Sequence, residues 1–272
     1  MNSKTLYHYT SGQGLYGIMN SSELHCSHIA FLNDPTEHKY LDVVIKRIFQ
    51  NSPDCKEIYD KLYNESYHGI TYDFYEYYVL SLSRNNDSLS MWNYYSKGNG
   101  YNIGLNYESI IKRNENKLGE VFIVDLIYEW SKQYRTVKKF IKSFKKELLK
   151  LENTKLNEAS KLKIDEDMER RFNRGLINYR LSFKHSAYAR EEEVRILIAK
   201  PITNKSDVFY RLSSNGVIVE YVKLKIDLKR DLKSIMIHPK GTDLHLLGVD
   251  RFTYSENSKL KISHSQIPFR DV

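Results

Sequence analysis

A chain of 272 residues with 41% hydrophobic residues and a mean hydropathy of −0.57 can bury a core without disulfide or metal staples, and no apolar run in it approaches a membrane span. Its two cysteines, Cys26 and Cys55, form no CxxC pair, and no charged-then-apolar signal segment opens the chain, which points to a reducing, cytoplasmic setting. The formal net charge of +8 is concentrated in residues 131–163, where eleven Lys/Arg face three Glu, so the remainder is neutral overall and this block alone is suited to meeting a polyanion.

Residues 5–10 read as a strand, and SGQGLYGIMNSSEL as a turn and a helix with Leu15, Ile18 and Met19 on one face. NDP then starts a second helix, with Pro35 in a first-turn position and Leu41, Val44, Ile45 and Ile48 at helical spacing. A strand at 77–83 leads through the polar loop RNNDS to a short helix at 88–98. Strands follow at 100–107 and 119–129. From 131 the pattern turns helical: Val137, Phe140, Ile141, Phe144 and Leu148 line one stripe while Lys138, Lys142, Lys145 and Lys146 fall elsewhere. A second helix covers 164–178, and strands return at 190–199, 216–226, 232–239 and 260–265. No repeat or linker divides the chain. The expectation is one α+β domain over 1–272, a strand-rich core with a basic helical insert at about 130–180.

Several residues could carry chemistry. His8 places a titratable group in a strand that burial alone would fill with Val, Ile or Leu. In a strand over 190–199, Glu191, Glu193 and Arg195 share a face, and two adjacent carboxylates repel unless a cation or a ligand hydroxyl relieves them. Ser81 and Ser83 share a face of their own strand and could hold a ribose or phosphate. Trp92 and Tyr95 offer flat rings, or simply core. Asn33, Asp34 and Pro35 with Glu37 read first as a helix cap. The spacing of His25, Cys26 and His28 matches no standard zinc pattern, and no metal site is expected. The lysines of 131–163 are either a solvated face or a nucleic-acid surface.

With LYHYTS, LNDPTE, LSLS through DSLSMWNYY, GYNIGL, FKHSAYAREEEVRI and the closing SQIPFR in this order, the chain resembles the bacterial family known as domain of unknown function twenty-nine seventy-one, along nearly its whole length. More distantly it is similar to the NAD-dependent ADP-ribosyltransferases. That resemblance implies an ADP-ribosyltransferase-like core and NAD as co-substrate, held by His8, Tyr9 and Thr10, by Ser81 and Ser83, and by an aromatic wall at Trp92 or Tyr95. Arg84 or Arg195 would meet the pyrophosphate. Glu193 would stabilise the oxocarbenium-like state, and Glu191 would orient the acceptor; which glutamate is catalytic stays open. The expected product is ADP-ribose on a macromolecule, as in a toxin or phage-defence effector. The basic helix, through Lys138, Lys142, Lys145 and Lys146, would recruit a nucleic acid or ribonucleoprotein; no membrane is involved. The alternatives are a binding module without catalysis and a metal-dependent nuclease built on Asp34, Glu37 and the glutamate cluster.

Overall fold

The computed structural model describes residues 5–32, 37–64, 75–96, 98–115, 117–153, 157–204, 206–213, 215–254 and 260–268. It is an α+β structure built on one large sheet. The strands are β1 (Thr5–Thr10), β2 (Glu23–His28), β3 (Tyr75–Ser83), β4 (Tyr101–Asn106), β5 (Glu120–Asp125), β6 (Glu193–Pro201), β7 (Val208–Leu212), β8 (Ile218–Lys225), β9 (Leu232–Ile237) and β10 (Lys261–His264). The helices are α1 (Gly12–Ser21), α2 (Glu37–Asn51), α3 (Pro53–Leu62), α4 (Leu89–Tyr95), α5 (Tyr107–Asn114), α6 (Trp130–Ser143), α7 (Lys145–Asn153), α8 (Glu158–Ser182) and α9 (Asp243–Thr253).

The sheet runs β10-β9-β4-β1-β3-β2-β8-β7, with β6 on β3 and β5 on β6. It branches at β3. One edge of β3 pairs with β6 along its whole length, from Tyr75↔Pro201 to Ser83↔Glu193. The other edge is divided: β2 meets Tyr78 and Val79, and β1 meets Ser83 through Tyr7. Between these two pairings β1 and β2 part, and the Ser81 carbonyl meets Nδ1 of His8 at 3.3 Å instead of a strand.

Alternation along β3 and β6 sorts their side chains into two cores. Tyr78, Leu80, Leu82, Val194, Ile196 and Ile198 join Leu15 of α1, Ile110 of α5 and Val249 of α9. Tyr77, Val79, Leu197 and Ala199 pack on Ile177 and Leu181 of α8 instead. A third core is mostly helical and draws Leu41 and Ile48 from α2, Ile58 from α3, Ile141 from α6 and Phe172 from α8, with Phe183 just past the end of α8.

Several sequence expectations shift in this structure. The helices of the expected insert, α6, α7 and α8, share their core with α2 and α3. Helix α8 is far longer than 164–178, starting where Asn157 Oδ1 accepts the Ser160 N–H at 2.8 Å. Helix α3 was not foreseen, although Pro53 in the first turn and the Cys55, Ile58, Leu62 spacing are both helix signals. The strand expected over 190–199 starts at Glu193. Residues 186–191 form a 3-10 turn that ends at Glu192, whose φ of 44° is left-handed. The strand expected over 119–129 ends at Asp125, and beyond it Ile127 makes only a bridge to Phe183. Asn33, Asp34 and Pro35 lie outside the described residues.

Candidate active site

At the shared end of β3 and β6, five ionisable side chains form one buried network. Ser83↔Glu193 closes the strand pair, so Glu193 enters on the face that also carries Ser81, Ser83 and Arg195. The 3-10 turn then lays Glu191 beside it. Lys184, just beyond the end of α8, reaches in with Nζ 2.7 Å from Glu191 Oε2, 2.7 Å from Glu193 Oε2 and 3.4 Å from Glu37 Oε1. Arg195 joins Glu193 Oε1 at 2.7 Å to Glu37 Oε2 at 2.6 Å, and its Nη1 donates to the Leu181 carbonyl at 3.2 Å, near the end of α8 where a cation is favoured.

Three carboxylates thus share two cations, and all five residues are buried. Burial alone would raise the Glu193 carboxyl, but the charges of Arg195 and Lys184 and their hydrogen bonds outweigh it and hold it at about 2. Burial would lower Lys184, and the carboxylates overturn that and raise it. Both groups are charged at neutral pH.

The neutral groups complete the site. Ser81 Oγ donates to Glu193 Oε1 at 2.6 Å, and Tyr95 OH donates to Glu191 Oε1 at 3.0 Å. The Tyr128 hydroxyl accepts the Glu193 N–H at 2.9 Å, and Ser83 Oγ donates to the Glu191 carbonyl at 2.6 Å. Ser83 is buried, whereas Ser81, bonded to the buried Glu193 carboxylate, is exposed and lies where β1 and β2 part.

The structure brings together Ser81, Ser83, Tyr95, Glu191, Glu193 and Arg195. It places the other expected residues differently. By register His8 shares a face with Leu6 and Ile103, opposite to Ser83 and Glu193, and it touches the site only through the Ser81 carbonyl. Burial lowers the pKa of its ring against the raising effect of that contact. Tyr9 is buried and bridges the Asn85 carbonyl and the Ser88 N–H, while Thr10 ends β1. Trp92 is fully buried, edge-on to Tyr9 and His238, so its faces are not open to a ligand ring. Arg195 is held by two carboxylates in the interior rather than presented to a pyrophosphate, whereas Arg84 is exposed and bonded to Asp125 through Nε at 3.1 Å. Glu37, considered as a metal ligand, is committed to Arg195 and Lys184. Among the described residues, no group of three or more His, Cys, Asp or Glu is placed to hold a metal ion.

Sequence reasoning missed Lys184 and Asp87. Asp87 accepts the Trp92 indole N–H at 2.7 Å, Ser265 Oγ at 2.6 Å and the Gln266 N–H at 2.8 Å. One carboxylate therefore ties DSLSMW to SQIP, two motifs far apart in the chain. Asp87→Ala is expected to cost about 1–3 kcal/mol by stranding the indole N–H, read as a lower urea midpoint, and to expose residues 265–268 to protease. Beside it lies an open cleft of about 560 Å³ lined by Asn85, Leu89, Tyr94, Arg190 and Glu192.

Residues 91–196 match the family model described as protein of unknown function (DUF2971), which supports the resemblance drawn from the motifs within that segment. No curated protein and no solved structure matches the chain. No described helix is long and apolar enough to cross a membrane.

Proposed function

We propose that the chain carrying this DUF2971 segment is an NAD-consuming ADP-ribosyltransferase with Glu193 as its catalytic carboxylate. The bond between nicotinamide and ribose breaks with its electron pair leaving on the nicotinamide nitrogen. The acceptor nucleophile then bonds to the same ribose carbon and loses its proton. The developing positive charge is oxocarbenium-like, and a fixed anion beside it lowers the barrier. The observation that carries the reading is the 2.6 Å bond from exposed Ser81 to Glu193, which orients a carboxylate that Arg195 and Lys184 keep ionised.

The roles differ from those the resemblance implied. Arg195 and Lys184 tune and hold the carboxylates. Tyr95 fixes Glu191, which orients the acceptor. Trp92 supports the strand end from below, and His8 steadies the Ser81 carbonyl at the strand fork. The reading is tested by nicotinamide release from NAD, with and without added nucleic acid. Wild-type protein is expected to release it. Ser81→Ala, which removes one charge-assisted hydrogen bond at an exposed position, should slow release about tenfold or more. No release by the wild type in either condition ends the proposal.

A further inference from the structure

Helix α6 carries five cations and no acid in fourteen residues. Gln133, Val137 and Ile141 face the helical core, and at 100° per residue the direction opposite them belongs to Lys132, Arg135, Lys139 and Lys142, all exposed. Lys138 lies at the flank, half-buried with Nζ 5.7 Å from the centre of the Tyr134 ring. The exposed face is therefore not the set expected from the sequence, since Lys145 and Lys146 fall beyond the break at Phe144, on α7.

Helical stability does not account for this face. Lys132 stands in the first turn, where the helix dipole disfavours a cation. Arg135 and Lys139 are four apart, and Lys139 and Lys142 three apart, so like charges are set side by side. Solubility does not require it either. Helix α8 of the same protein interleaves five acids with six cations over its length. Acids from neighbouring segments approach α6 at its margins: Asp54 of α3 lies 3.0 Å from Lys142, and Glu129 lies 3.9 Å from Arg135.

We infer that the Lys132, Arg135, Lys139 and Lys142 face of α6 binds the phosphodiester backbone of a nucleic acid. Ten residues of helix span about 15 Å, the axial rise of about four phosphates along one strand of a duplex, so four cations meet four phosphates. The inference does not rest on the NAD reading, because it concerns binding alone.

The test is fluorescence anisotropy of labelled single-stranded RNA, single-stranded DNA and duplex DNA of equal length, titrated with the full chain between about 50 and 200 mM salt. Changing Lys132, Arg135, Lys139 and Lys142 together to Gln is expected to make the slope of log affinity against log salt shallower by about 3 units. A control with Lys112, Lys163, Lys229 and Lys261 changed to Gln loses the same charge from other exposed positions and should keep most of the slope. The three probes decide which nucleic acid is preferred. Equal losses in the two variants, or no binding of any probe by the wild type, would overturn the inference. So would binding of phosphatidylserine vesicles in place of all three probes.

Discussion

Lys184→Met is expected to lower the unfolding free energy by about 3–5 kcal/mol, because removing one partner of a buried ion pair leaves the other charge uncompensated. Here the single ammonium serves Glu191, Glu193 and Glu37, and only Arg195 would remain for the last two. Urea unfolding measures the effect, and Lys184→Arg should recover part of it. An unchanged midpoint in Lys184→Met would show that the carboxylates do not depend on this cation. The same network sets an acid limit. The Glu193 carboxyl is lowered to about 2 in the folded chain, against 4.5 for the ordinary group. Its stabilising contribution is therefore complete above about pH 4.5 and is lost as pH falls toward 2, where both states are protonated. Unfolding midpoints should fall across that window in the wild type and fall less steeply in Glu193→Gln.

Glu193→Gln is expected to slow nicotinamide release by on the order of a hundredfold or more, since it keeps the shape but removes the anion facing the oxocarbenium-like state. Affinity for NAD should change far less, because ground-state contacts are mostly retained. Glutamine also turns an amide toward Lys184 or Arg195, so stability will fall as well. The rate must therefore be normalised to the folded fraction at each temperature. A variant as fast as wild type would remove the ADP-ribosyltransferase reading and leave nucleic-acid binding as the better account of the chain. Glu191→Gln should spare NAD hydrolysis while reducing label transfer to an acceptor.

Much of the site was legible because its pieces sit in short, unusual strings. Two serines two apart and two glutamates two apart announced a polar strand end in otherwise apolar strands. The demand for a cation near the glutamates followed from Coulomb repulsion, and Arg195 was identified as the neighbour. Lys184 was not, since its role depends on how α8 ends against the turn at 186–191, which no periodicity encodes. Trp92 stands out as an aromatic candidate, but its burial depends on Tyr9 of β1 and on His238 just beyond β9. The face assigned to His8 could not be read either. The fork that leaves the Ser81 carbonyl to a side chain is a property of three strands together.

The bond between Glu37 and Arg195 closes a loop of 158 residues. Loop closure grows costly with length, and contacts of this separation form late. During synthesis at about 5–20 residues per second, α2 emerges roughly 8–30 s before the strand that carries its counter-charge. For the first part of that interval, until α6 has been made, the apolar stripe of Leu41, Val44 and Ile48 has neither α8 nor α6 to cover it. The nascent protein must therefore carry an uncovered helical pair, α2 with α3, until about half of its length has been made, and its yield in a cell should depend on holdase chaperones acting in that window.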